Sequence, residues 1–254
     1  MNIRDTVQRS IDALQFRFDV FPTLYYQPLP WLGLNKAKRG AGTEARWVAI
    51  ESTFGNLPIS SALDIGCNTG YFCFSLAYKG IPVLGLDRDD RFLRIAQHAA
   101  RKMKVPNVGF CKMDLTLDTV HLLPDVDLVL LLSVWHHWVR AFGLDAAGEL
   151  LLAVWRKSRK VMYFETGEAE MPPEFGLSML KASPRQWLED YLNAMCADSQ
   201  VTWLGTFKAF APQGNETEAV VYRNLFKVTR LNVDTSGLFD SEVNAQSELA
   251  EVPR

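Results

Sequence analysis

Between residues 60 and 165, short apolar runs alternate with stretches of helical period. Ser61–Ile65, Ile81–Leu86 and Val108–Met113 read as strands, and Lys160–Phe164 as a fifth in chain order. The fourth, Val126–Leu132, is the most hydrophobic run and is expected at the sheet centre, buried on both faces. Helices are expected over Gly70–Lys79, Asp89–Lys104, Leu144–Lys157 and Pro184–Met195. In the second of these Phe92, Ile95, Ala99 and Met103 share one face. Strands alternating with helices predict an α/β, doubly wound, mostly parallel sheet. Val201–Phe210 and Ala219–Thr229 are joined only through the stretch around Gln213-Gly-Asn-Glu. That connection is too short for a parallel crossover, so the two should form an antiparallel hairpin at the sheet edge. The expected whole is a seven-stranded, Rossmann-like sheet with an antiparallel last strand.

Ahead of this unit, Ile3, Val7, Ile11, Leu14 and Phe18 mark one face of an amphipathic helix. Phe16 to Trp31 is aromatic and carries Pro22, Pro28 and Pro30, a density that predicts an extended, packed loop. A helix is expected near Thr43–Phe54, capped by Thr43 or Gly42. Residues 1–59 thus form a helical and aromatic segment expected to cover the site, and 60–230 the main domain. Residues 231–254, with five acids and one arginine, form a flexible acidic tail.

Composition narrows the function classes. The 254 residues are 48% hydrophobic and 22% charged, as in a soluble globular protein and unlike a disordered one. Twenty-seven Lys and Arg against 29 Asp and Glu give a net charge of −2, which argues against a globally basic nucleic-acid binder. Cys67, Cys73, Cys111 and Cys196 include no C-x-x-C pair and read as reduced thiols. The longest uncharged apolar stretch, Leu128–Trp135, is far short of the ~20 residues that span a bilayer. Arg4, Asp5, Arg9 and Asp12 break any secretory core near the start, so the cytoplasm is the expected location.

The most informative segment is Ala62-Leu-Asp-Ile-Gly-Cys-Asn-Thr-Gly-Tyr-Phe. An apolar strand ends near Asp64, passes Gly66, Asn68 and Gly70, and enters a helix. Glycines let the backbone approach a ligand closely, and the helix start offers free N–H groups with a positive dipole end. The spacing is D-x-G-x-x-x-G and lacks the tight G-x-G turn of nicotinamide dinucleotide binders, which weakens a pyrophosphate reading. An acid ahead of the glycines repels a diphosphate and favours a ligand with a cationic amine.

This segment resembles the first motif of the class I S-adenosylmethionine-dependent methyltransferases, and the likeness continues in order. Asp87 ends the second strand, 21 residues after Gly66. The resemblance implies that it binds both ribose hydroxyls. Asp114, after the third strand, is implied to accept from the adenine amino group. Ser133-Val-Trp-His-His-Trp follows the fourth strand, where the family closes over the methionine moiety and places catalytic residues. The implied cofactor residues are Asp64, Gly66, Asn68, Gly70, Asp87, Asp114 and Ser133, and the implied cofactor is S-adenosylmethionine.

Methylating a hydroxyl needs a base or a metal ion. His136 and His137 stand at the carboxyl edge of the sheet, where α/β sites form. His137 is preferred because some small-molecule and tRNA-modifying members carry a V-x-x-H that aligns with Val134 and His137. His98 is expected on an exposed helix face and His121 in a loop. Glu165, Glu168 and Glu170 follow the fifth strand. They are candidates either for Mg²⁺ or for a solvated acidic loop, and Glu165 is the best placed to touch acceptor or metal. Trp31, Trp135 and Trp138 are candidates for stacking on sugar rings. Lys36, Lys38, Arg39 and Arg46 are candidates for an anionic group. The leading expectation is O-methylation of a saccharide or other small-molecule hydroxyl. The alternatives are an RNA- or tRNA-modifying methyltransferase and a non-catalytic S-adenosylmethionine-binding regulator. The oligomeric state stays open, with a homodimer among the alternatives.

Overall fold

The structure is a computed structural model describing residues 27–34, 42–54, 57–168, 171, 174, 177–213 and 217–231. The expected amphipathic helix near the start, most of the aromatic segment, Lys36, Lys38, Arg39, Glu170 and the tail beyond 231 lie outside the described residues.

Among the described residues, seven strands form one sheet in the order β3-β2-β1-β4-β5-β7-β6. They are β1 (Ala62–Ile65), β2 (Val83–Asp87), β3 (Val108–Lys112), β4 (Val126–Leu132), β5 (Ser158–Glu165), β6 (Ser199–Gln213) and β7 (Thr217–Arg230). The first five pair in parallel. β7 inserts antiparallel between β5 and β6 and makes the expected hairpin. The hairpin strands are longer than the hydrophobic runs suggest. Leu225 of β7 already faces Glu165 at the end of β5, so residues ahead of it pair only with β6 and extend past that end.

The helices are α1 (Thr43–Ser52), α2 (Tyr71–Tyr78), α3 (Asp90–Met103), α4 (Trp135–Phe142), α5 (Leu144–Lys157), α6 (Ser178–Ala182) and α7 (Pro184–Met195). The run Val126–Leu132 is β4 itself and is buried along its whole length. Its side chains alternate between two cores, as strand geometry requires. Leu128, Leu130 and Leu132 pack with Trp47, Ile50, Phe72 and Leu76 on one side of the sheet. Val129 and Leu131 pack with Leu150, Trp155 and Leu188 on the other. Asp127, the one charge in the strand, accepts from Ser60 N and Oγ at 2.8 and 2.7 Å and from Lys160 Nζ at 3.2 Å.

Two details differ. The buried stripe of α3 is Leu93, Ile95, Ala96 and Ala99, displaced from the expected face, with Phe92 and His98 half-buried. The residues after Val134, given no element from the sequence, are a helix. Trp135, Trp138 and Val139 sit at helical spacing and point into the core.

Candidate active site at the carboxyl edge of the sheet

The loop between β1 and α2 carries three left-handed residues: Gly66 at φ 75°, Asn68 at φ 52° and Gly70 at φ 88°. Asn68 tolerates this because its Oδ1 accepts from Thr69 N at 2.8 Å. Gly66 is required twice over. Its φ disfavours a side chain, and a Cβ there would lie 2.4 Å from Val134 Cγ2. The segment after β4 therefore presses directly on the glycine loop.

Asp64 and Asp87 flank the loop. Asp64 is buried and accepts from the Cys73 thiol at 3.2 Å. Burial pushes its pKa up to about 7; the Cys73 hydrogen bond opposes this, and the charge of Asp87 adds to it. Asp87 Oδ2 accepts from Asn68 N at 2.9 Å and Oδ1 from Asp89 N at 2.8 Å. Burial raises its pKa against the pull of those two N–H groups. Each oxygen keeps a further acceptor site, as a pair of ribose hydroxyls requires. Asp114 is exposed and lines an open depression of about 470 Å³ with Arg88, Asp89, Asp90 and Lys112, beyond the ends of β2 and β3. Asp64, Gly66, Asn68, Gly70 and Asp87 thus meet in one loop cluster, and Asp114 stands at its β3 side.

Ser133 sits at φ 61°, an uncommon conformation for a non-glycine residue. Its N–H donates to Glu165 O at 2.8 Å, and its Oγ donates to Glu165 Oε1 at 2.6 Å and accepts from Arg223 Nη1 at 2.9 Å. The Ser133 hydroxyl is therefore engaged by Glu165 and Arg223. Glu165, expected at the acceptor or a metal, is fully buried. Arg46 Nη1 lies 3.0 Å from both of its oxygens, and Arg223 Nη1 is 3.9 Å from Oε1. This carboxylate is the counter-charge of two buried guanidiniums. Arg46, a candidate anion binder, is that partner. Glu168 is neither solvated nor a metal ligand: it is buried and accepts from Asn224 N and Nδ2. Among the described residues no group of three His, Cys, Asp or Glu is placed to hold a metal ion. These side chains do not fit Mg²⁺.

The two histidines differ. His136 is buried, and its Nδ1 accepts from Gly167 N at 2.9 Å, which leaves any ring proton on Nε2. Burial holds its pKa well below the ordinary value. A ring fixed in this tautomer is a poor general base. His137 is the exposed one of the pair, with its ring 4.2 Å from that of His136. Desolvation of the ring, then the charges of Arg140, Arg88 and Arg223, hold its pKa down to about 4. It is neutral at physiological pH. Trp135 and Trp138 are core residues without a face free for a sugar ring, and Trp31 is half-buried and packs on Tyr71, Phe74 and Tyr78. Arg223 and Asn224 carry no sequence signal, because their partners are far away in the chain.

Residues 59–140 match the family model described as a methyltransferase domain. A 131-residue stretch is 28% identical to the O-antigen chain terminator bifunctional methyltransferase/kinase WbdD of Escherichia coli, covering 51% of this chain and 18% of that protein. The structure of the bifunctional kinase-methyltransferase WbdD aligns over 84% of this chain and 45% of that one, with a TM-score of 0.63 and 23% identity. Magnesium protoporphyrin IX methyltransferase (ChlM) from Synechocystis PCC 6803 with bound S-adenosylmethionine aligns over 74% and 80%, with a TM-score of 0.52 and 18% identity. The chain spans less than half the length of the WbdD structure and less than a fifth of the curated relative. At these identities the structural matches establish the fold, and the order of strands is that of the class I methyltransferases.

Replacing Glu165 with Gln should destabilise the protein by about 3–5 kcal/mol, because two buried guanidiniums lose their counter-charge. Urea denaturation measures this, and an unchanged midpoint would contradict the assigned role. Asp64 gives a pH test. Its folded pKa is raised, so its contribution favours folding at low pH and is lost as pH rises towards and through about 7. The Asp64→Asn variant should therefore gain stability over the parent as pH rises from about 4 to about 8, by at most about 4 kcal/mol. Thermal melts across that range decide it, and a pH-independent gap would remove Asp64 from this linkage.

Proposed function

We propose that this class I S-adenosylmethionine-dependent methyltransferase methylates an oxygen of a small or saccharide acceptor, with His137 taking the proton of the attacking hydroxyl. One observation carries the reading: the glycine loop bracketed by Asp64 and Asp87 lies against Val134, three residues ahead of a neutral, exposed histidine. The name of the Escherichia coli relative, an O-antigen chain terminator, is consistent with a saccharide acceptor.

Asp87 would hold the ribose, Asp64 would favour the cationic side of the cofactor, and Gly66 and Gly70 would let the backbone approach it. When bound, S-adenosylmethionine supplies a methyl group made electrophilic by its sulfonium. His137 would accept the proton of the attacking hydroxyl as its oxygen takes up the methyl group, the cofactor's sulfur leaving with the electron pair of the carbon–sulfur bond. His136 holds the start of α4 in place, through its ring on Gly167 N and its own N–H on Thr166 Oγ1 at 3.0 Å.

A second reading has its own observation. Arg88, Arg140 and Arg223 all act on His137, and a base with a pKa of about 4 is weak against a sugar hydroxyl. The same charges suit an acceptor whose oxygen is already an anion, which needs no base.

The Asp87→Ala variant should bind S-adenosylhomocysteine more weakly by about 1.5–3 kcal/mol, read by calorimetry. Equal affinity would refute the cofactor assignment. For acceptor chemistry, His137→Ala should lower kcat by roughly 10²–10⁴ while leaving S-adenosylhomocysteine affinity intact. The parent's kcat should show no inflection from this group between pH 6 and 8, because it loses its proton near pH 4. Turnover that survives the substitution would transfer the case to the anionic acceptor. A transfer screen with labelled cofactor over saccharide, lipid-precursor and RNA pools provides the assay.

A further inference from the structure

Helix α2 begins at Tyr71 behind Gly70, which has no side chain to cap it. The cap arrives from 44 residues upstream: Gln27 Oε1 accepts from Tyr71 N at 3.1 Å and lies 3.5 Å from Thr69 Oγ1. Two neighbours fix this reach. Leu29 is buried, and Trp31 lays its ring over α2, with centroids 5.5 Å from Tyr71, 5.7 Å from Phe74 and 5.4 Å from Tyr78. Gln27 is half-buried, and among the described residues its Nε2 donates to nothing. Asn68 stands in the same loop. It is 9% exposed, its Oδ1 is used by Thr69 N, and its Nδ2 also has no acceptor among the described residues.

Two amide NH₂ groups and the positive end of α2 thus converge where the glycine loop meets the helix. The opposite flank of the loop carries Asp64 and Asp87. A ligand matched to this field has its cationic groups towards the aspartates and one anionic group towards the amides. The cofactor assigned above has one anion, the carboxylate of its methionine part.

We infer that Gln27 is a cofactor-binding residue with a divided side chain: Oε1 caps α2 and Nε2 donates to the methionine carboxylate, beside Asn68 Nδ2. The inference rests on the proposed reading of the glycine loop. It makes the segment ahead of the matched 59–140 stretch a part of the cofactor site.

The test separates the two ends of the side chain. Gln27→Glu retains an oxygen for Tyr71 N and places a negative charge where the donor was. On the full chain, calorimetry with S-adenosylhomocysteine and with 5′-methylthioadenosine, which lacks the amino-acid moiety, should show about tenfold weaker binding of the first and unchanged binding of the second. Retained 5′-methylthioadenosine binding is also the folding control. Gln27→Met, which adds no charge, should show the same selectivity with a smaller loss. Undiminished S-adenosylhomocysteine affinity in the Glu variant, or equal losses for both ligands in both variants, overturns the inference. If the parent chain binds neither ligand, the glycine-loop reading falls with it.

Discussion

The carboxyl edge of the sheet is organised by one buried carboxylate. Glu165 lies at the end of β5 with no access to water, so its charge must be met inside the protein. Arg46 from α1, Ser133 from the end of β4 and Arg223 from β7 meet it. Each comes from a different element, so one charge fixes the relative position of four pieces of chain. The consequences pass outward in steps. Ser133 is held in a left-handed conformation by bonds from both its N–H and its hydroxyl. That turn brings Val134 against Gly66 and starts α4 at Trp135. The glycine loop and the histidine pair are thereby set against each other, although they belong to different βα units. Two guanidiniums on one carboxylate leave this centre net positive, and Arg223 adds to the charges that keep His137 neutral.

The residues just after Glu165 extend the same logic. Thr166 takes the His136 N–H, Gly167 donates to the His136 ring, and Glu168 binds Asn224 of β7. A stretch that carries three acids in sequence is largely consumed by internal contacts in three dimensions. Such a pattern suggests a metal site or a solvated loop only while its partners are invisible. Arg46 stands 119 residues from Glu165, and Asn224 stands 56 from Glu168. No spacing rule joins positions so far apart, so the partners of these acids were not legible in the sequence, whereas the turn at the loop glycines was.

Local patterns were legible where one physical force dominates. β4, α5 and α7 begin and end at the residues expected, because an unbroken apolar run or a clear amphipathic period defines each. The glycine loop and Asp87 were legible because left-handed backbone and close approach restrict residue choice. Trp135, Trp138, Val139 and Phe142 of α4 follow the helical period, but the run is short and adjoins the apolar β4, so its pattern does not stand apart. The two rings then proved unequal. Burial and a backbone donor commit His136, and only geometry could show that.

The match over residues 59–140 covers the loop, Asp87, Asp114 and the histidines, yet the buried polar residues that brace this edge come from outside it. Arg46 precedes it, while Glu165, Glu168, Arg223 and Asn224 follow it. This division has a physical reason. Seating a sulfonium nucleoside needs a turn, a helix start and a few carboxylates, all within reach of consecutive strands. Selecting an acceptor needs a surface shaped by whatever stands opposite those strands, and in the proposed reading the β6–β7 hairpin contributes to it. The hairpin runs past the end of β5, at the carboxyl edge of the sheet. In that reading, chains that share the loop but differ in the hairpin carry the same methyl donor to different oxygens. Fold likeness to a porphyrin methyltransferase and to a kinase-linked methyltransferase is thus compatible with an acceptor unlike either.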